Sequence, residues 1–480
     1  MREKLLKLAW ALVPLAVLMW GLRRVLPTLA DGLWGPEQPF LNGDFNGGWW
    51  LWWAGSNPDA LRLLSWPDGV QLAGVIPNPT QMLLLGAVFG EPTALGWNLL
   101  QLTHLVLLVL SAFVLARSAG ASGLAAAAGA SLVAASPVLL HEVVGGRPDN
   151  LVVWPALLSL ACLQRKGLAW GAAAGALAAL QGLAYAWHGL ALVLVGLPLV
   201  RDWRALGVGV AVGAALITPY AVWLGQGLAS LPTDTPQVGY TALPLSGLWP
   251  SMTLPDRFQV HPLLVPVAVL GLRGGRRWLL AGGIGLLLAV GPQVQWHLGD
   301  PLVSGPWAWV AWAVPPAARM HHPVREALLA VPLLAVALAM GLDAFRWRVV
   351  LAVGLIGAGA WNASRLDTAA AWNQPVAPPF AEVPIEGPAV DVLGMHHRTA
   401  LSLQTVHGQA LYEPLEFRRT GAVEELSRGL PDDAIFDDLR AAGFRQVLVL
   451  DRFGDGEATR LIVEEALGPP VAPGVYALTP

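Results

Sequence analysis

The sequence predicts a polytopic α-helical membrane protein of about eleven transmembrane helices, followed by a small C-terminal α/β domain outside the cytoplasm. Three observations predict it. Of the 480 residues, 55 % are hydrophobic and only 13 % are charged, where soluble domains carry roughly 25 % charged residues. Apolar stretches recur along the first 362 positions, and a run of about 18 residues is enough to cross a hydrocarbon core. Charge then returns. Residues 1–375 contain 37 Asp, Glu, Lys and Arg, while the much shorter segment 376–480 contains 24, a density normal for a domain in water.

Taken in order, the apolar runs between turn signals fall at roughly 5–24, 92–116, 122–140, 150–163, 167–183, 186–200, 205–224, 261–272, 278–292, 324–343 and 348–363, each read as a span. The first, in "MREKLLKLAWALVPLAVLMWGL", has the charge order of a signal peptide but no small-residue cleavage site, so it reads as a retained helix. The segment 80–90 is too short to span and reads as re-entrant or interfacial. A long first loop, 25–91, lies between the first two spans.

Alternate connections are basic: Arg117, "QRK" at 164–166, "RDWR" at 201–204, "RGGRR" at 273–277 and "FRWR" at 345–348. Basic short loops face the cytoplasm, which puts the N-terminus inside. The remaining connections hold the acids, among them Asp31, Asp44, Glu142, Asp149, Asp234 and Asp300. An odd number of spans then puts the tail on the outer side with those loops. Arg23 and Arg24 break the pattern and are read as snorkelling to the outer interface.

The division is therefore a transmembrane domain, 1–375, and an extracytoplasmic domain, 376–480. In the tail, "PAVDVLG" (388–394) and "RQVLVL" (445–450) read as buried strands. Helical patterns fall at 421–429, 432–442 and 456–467, with Gly443 closing the second. "GDGE" (454–457) follows a strand but lacks the spacing of a phosphate loop.

Several functions are excluded or disfavoured. A net charge of −3 without a basic stripe gives no nucleic-acid partner. The single Cys162 forms no disulfide framework. No HExxH, P-loop or Ser-His-Asp order is present, and no run of intramembrane acids marks an ion-coupled pump.

Three outer stretches carry candidate chemistry. In "LNGDFNGGWWLWW" (41–53), Asp44 stands among glycines that let a ligand approach the backbone. Four tryptophans would anchor the stretch at the membrane surface. Asp44 suits a general base there, and it equally suits a turn. "HEVVGGRPDN" (141–150) holds His141, Glu142, Arg147 and Asp149, acids that suit a divalent cation and an arginine that suits phosphate. The same loop suits a plain connection in which Asp149 or Asn150 caps the next helix. "PPAARMHHPVREALL" (315–329) gathers Arg319, His321, His322 and Arg325 on the side where basic residues are scarce, fit for a lipid phosphate or for simple snorkelling. His188 faces the same side from the sixth span, and His104 reads as a neutral histidine bonded between helices.

Together these features resemble the GT-C class of integral membrane glycosyltransferases. "IPNPTQMLLLGAVFG", "GWNLLQLTHLVLLVLSAFVLARSAGASGLAAAAGASLVAASP" and "RMHHPVREALLAVPLLAVALAMGLDAF" are similar to the bacterial YfhO-like membrane proteins of that class, as is the tail pattern "GPAVDVLG…QTVHGQALYEPLEFRR…GFRQVLVL". The resemblance implies a polyprenyl-phosphate-linked sugar donor, transfer of a hexose or pentose with inversion to an extracytoplasmic acceptor, and residence in the bacterial inner membrane. It implies Asp44 as the acid that activates the acceptor or helps hold Mg or Mn with Glu142 or Asp149. It also implies that Arg147, Arg319 or Arg325, with His321 and His322, meets the donor phosphate. Asp44 stands alone, without the adjacent second acid of some families of the class. A non-catalytic factor for envelope polysaccharide assembly or export is the other reading.

Overall fold

The computed structural model describes residues 2–35, 43–57, 59–60, 79–229, 243, 245, 260–261, 263–295, 301–314, 322–365, 384–392, 404–406, 408–409, 411–412, 433–449 and 457–478. Arg319, His321 and the 421–429 helix lie outside the described residues. The chain falls into two compact units, Met1–Trp34 with Leu95–Asn373, and Gly35–Ala94 with Gln374–Pro480.

The first unit is a helical bundle. Helix occupies part of each of the eleven predicted spans. Among the described residues, three helices are long and apolar enough to cross a membrane, Ala94–Ala119, Trp203–Trp223 and Pro323–Leu342, and five shorter ones of 10–17 residues are apolar. The 122–140 run is not one helix. It divides into Gly123–Ala134 and Pro137–Val144, because Pro137 has no N–H to continue the ladder and its fixed φ suits a new first turn.

Ala327–Leu342 lies at the centre of the bundle, with every residue but Met340 buried. A helix apolar on all faces is stable only when neighbours cover all of them. Leu168–Ala184 and Trp203–Ala229 approach backbone to backbone, since a Cβ on Gly175 would stand 2.0 Å from the Gly209 carbonyl oxygen. Small residues permit this approach where lipid supplies no hydrophobic force between helices.

Contacts between connections show which helix ends lie together. At one end, Ser122 bonds the Asp343 carboxylate through both its backbone N–H and its hydroxyl, and Arg273 stacks on Phe345. At the other, Asn362 donates to the Ala135 carbonyl, and Arg23 donates to the carbonyls of Trp20 and Ser364 while its guanidinium lies 4.4 Å from the Trp20 ring. Arg23, against the charge rule by sequence, is thus a cation at two helix C-termini, where the helix dipole favours it.

Polar residues on the first long span are structural. Asn98, fully buried, accepts from the Trp34 N–H and donates to the carbonyls of Leu29 and Gly32, while Gln101 donates to the Trp34 carbonyl. His104 accepts from the Trp154 indole at 3.4 Å, as expected for a neutral histidine between helices. Asn98→Ala would orphan three backbone groups, each costing about 1–3 kcal/mol. We expect this variant to lower the thermal unfolding midpoint in detergent clearly more than Leu99→Ala, whose side chain is exposed. Equal midpoints would show that the clamp contributes nothing.

The second unit contains the tryptophan-rich Gly43–Ser56 helix and the Pro79–Phe89 helix. Here the aromatic-anchor reading is corrected: Trp49, Trp50, Trp52 and Trp53 are all buried, none more than 6 % exposed. The two helices touch through Gly55 and Gly86, where an added Cβ would collide with the Leu83 and Trp52 carbonyls. Trp50 donates to Gln404, and Trp52 to the Gly90 carbonyl. Large buried indoles need such partners. The tail residues form a sheet ordered β2 (Leu411–Tyr412), β1 (Ala389–Asp391), β3 (Gln446–Leu448), β4 (Val475–Ala477), antiparallel only between β3 and β4. Helices Asp433–Ala441 and Glu457–Leu467 accompany it. Gly443, at φ 88°, ends the first of these as the sequence suggested.

Candidate functional site

Residues from three separate connections of the first unit converge in one buried polar cluster. Its geometry begins with a helix stop. The Pro137–Val144 helix ends at Gly146, whose φ of 64° is a left-handed conformation that glycine adopts without penalty. The Arg147 N–H then bonds the Glu142 carbonyl, and the Gly146 N–H bonds the Val143 carbonyl. This is a Schellman reversal, and it folds Arg147 back over the helix end that carries Glu142. The Asn150 N–H bonds the Arg147 carbonyl, which completes the return.

One oxygen of Glu142 is the focus. Its Oε2 accepts from Asn150 Nδ2 at 2.6 Å and lies 3.7 Å from Arg147 Nη1 and 3.9 Å from Arg325 Nε. Asn150 therefore serves Glu142. The next helix, Trp154–Leu163, starts from Val153 without a side-chain cap, so neither Asp149 nor Asn150 caps it.

Arg325 comes from Pro323–Glu326, a 3-10 turn leading into the central helix. His322, half-buried, precedes that turn, and its carbonyl accepts from the Arg325 N–H. The Arg325 guanidinium donates to the Tyr185 hydroxyl at 3.4 Å. Tyr185 sits in extended backbone between Leu168–Ala184 and Ala186–Gly196. Burial pushes its hydroxyl well above the usual phenol value, partly opposed by Arg325, so it stays protonated.

The His188 ring lies 4.4 Å from the Tyr185 ring, tilted by 47°, and its Nδ1 lies 3.2 Å from Glu326 Oε2, with the His188 and Glu326 side chains fully buried. Among the described residues, His188 Nε2, Glu326 Oε1 and Asn150 Oδ1 have no hydrogen-bond partner. Charges removed from water cost several kcal/mol each unless well paired. A cluster this charged, at the ends of apolar helices, is a candidate site.

Of the sequence candidates, the structure brings together Glu142, Arg147, Arg325 and His188, with Asp149 close enough to act electrostatically on Tyr185. His141 lies on the Glu142 helix. Asp44 is the second residue of the Gly43–Ser56 helix, in the other compact unit. Sequence reasoning missed Tyr185, Asn150 and Glu326. Only Glu326 had a visible signal, an acid directly after Arg325 at the mouth of a long apolar run.

Among the described residues, no three His, Cys, Asp or Glu come together as a metal-holding group. The Glu142 carboxylate faces two guanidinium groups, which compete with a divalent cation instead of helping it. These residues suit an anion.

No family model matches the chain, and no curated protein sequence matches it. Solved structures do. The apo oligosaccharyltransferase of Archaeoglobus fulgidus aligns with a TM-score of 0.50 over 92 % of this chain and 69 % of that one, at 11 % identity. The mycobacterial arabinofuranosyltransferase AftD aligns over 92 % of this chain at 16 % identity, with a TM-score of 0.50, and a mutant of it with 0.51. This chain spans 35 and 36 % of those two AftD chains. At such identities the likeness is one of fold, and the fold is that of GT-C membrane glycosyltransferases.

Proposed function

We propose, from the GT-C fold shared with these transferases, that this membrane protein moves a sugar from a polyprenyl-phosphate-linked donor to an extracytoplasmic acceptor in the cell envelope. The observation that carries this reading is the convergence of Arg147 and Arg325, distant in sequence, on one carboxylate oxygen. Two guanidinium groups at the ends of apolar helices match the phosphate of a lipid whose tail stays in the bilayer. The basic-loop pattern places these helix ends on the outer face, as it does the tail.

In this reading the acceptor hydroxyl gives its proton to a carboxylate base, and its oxygen forms a bond to the anomeric carbon. The bond from that carbon to the phosphate oxygen breaks with inversion, and polyprenyl phosphate leaves with the electron pair. Arg147 and Arg325 stabilise the charge that develops on it. Such a leaving group needs no strong acid.

The test uses the full chain in phosphatidylcholine proteoliposomes with polyprenyl-phosphate sugars. Release of polyprenyl phosphate that depends on an acceptor is the expected result. Binding of the lipid without any release, across hexose and pentose donors, would favour the non-catalytic assembly reading.

A further inference from the structure

We infer that Glu142 is the resident anion of this site, occupying with its carboxylate the position that a ligand's phosphate takes when bound. The inference rests on the phosphate reading above and assigns Glu142 a role opposite to that of a metal ligand or catalytic acid.

The argument is geometric. A single oxygen, Glu142 Oε2, is met by three donors from two connections, namely the Asn150 amide, Arg147 Nη1 and Arg325 Nε. The Glu142 side chain is 3 % exposed, and those of Arg147 and Arg325 are 16 % and 10 % exposed. A phosphate oxygen would ask for the same partners: a neutral donor and two guanidinium groups converging on one point. Guanidinium groups this far out of water need a counter-charge, and Glu142 Oε2 lies 3.7 and 3.9 Å from these two.

The distances favour replacement over permanent pairing. At 3.7 and 3.9 Å neither guanidinium nitrogen is within hydrogen-bond range of the carboxylate. Asn150 holds it more closely, at 2.6 Å. Polyprenyl monophosphate carries more charge and more acceptor oxygens than the carboxylate it would displace. Ligand and Glu142 would then exclude one another.

The consequence is opposite in sign to that of losing a useful site residue. Glu142→Gln keeps the acceptor for Asn150 and removes the competing charge. In phosphatidylcholine nanodiscs, its affinity for polyprenyl monophosphate is expected to be at least about fivefold tighter than wild type, the lower end of ordinary coupling between linked binding events. Glu142→Asp keeps the charge and is expected to stay near wild type. The unliganded Glu142→Gln protein should unfold at a lower temperature, and the lipid should raise its midpoint by more than it raises that of wild type.

Unchanged or weaker binding by Glu142→Gln would overturn the inference, leaving Glu142 as a support for the arginines. Tightening for inorganic phosphate alone would uphold the resident-anion role and remove the lipid donor. Wild-type affinity in Arg325→Gln would instead defeat the phosphate reading itself, a result that the Glu142 variants do not produce.

Discussion

Asp44→Asn is expected to abolish sugar transfer while leaving membrane insertion and polyprenyl-phosphate binding intact. A positioned general base contributes roughly 10²- to 10⁴-fold, and Asn cannot take a proton. Asp44 is the second residue of the Gly43–Ser56 helix, where an acid also interacts well with the helix dipole. That alternative role is worth about 0.3–1 kcal/mol and nothing in rate. The two roles therefore separate cleanly. A carboxylate that only starts a helix would give a slightly less stable protein with transfer within a few-fold of wild type, and that result would sink the catalytic assignment. The measurement is acceptor-dependent release of polyprenyl phosphate, read beside the thermal unfolding midpoint of the same preparation.

The second large effect belongs to Arg325→Gln. It removes a cation that faces Glu142 and donates to Tyr185 in a buried setting. Breaking a buried pair from one side costs about 3–5 kcal/mol, because the surviving charge is left poorly compensated. Stability should therefore fall together with donor binding. Arg325→Gln combined with Glu142→Gln distinguishes the two losses. Removing both charges relieves the uncompensated carboxylate, so the unfolding midpoint should recover most of its loss, while donor affinity should stay well below wild type. Recovery of transfer along with stability would show that Arg325 acts only as a structural partner of Glu142. The pair is close enough to couple, so the double variant should depart from the sum of the single ones.

Much of the fold was legible because a bilayer imposes a length and a composition on whatever crosses it. The spans, the rise in charge after residue 375 and the αL glycine at 443 each follow from rules that act within a few residues. One miss was local, the break of the run 122–140 at Pro137. Elsewhere a non-local contact had decided. The tryptophans at 49–53 read as an interfacial belt, because indoles favour that zone. Gly55 and Gly86 let two helices close together, and the rings are buried. β2 and β4 are two and three residues long and carry no signal apart from the sheet they join.

The candidate site shows the same division. Composition and periodicity alone determined that this is a helical membrane protein. They also marked Glu142, Arg147, His188 and Arg325 as polar groups that apolar surroundings would need to accommodate. Sequence could not tell that these four belong together, because charge pairing is set by distance in space, and Arg325 lies far along the chain from Glu142. Only the packed bundle decided that. It brought the 3-10 turn before the central helix against the Schellman reversal at Gly146, and it placed one carboxylate oxygen between two guanidinium groups. Burial in that setting makes each charge depend on its partners, and it turns an ordinary hydrophilic loop into an anion site.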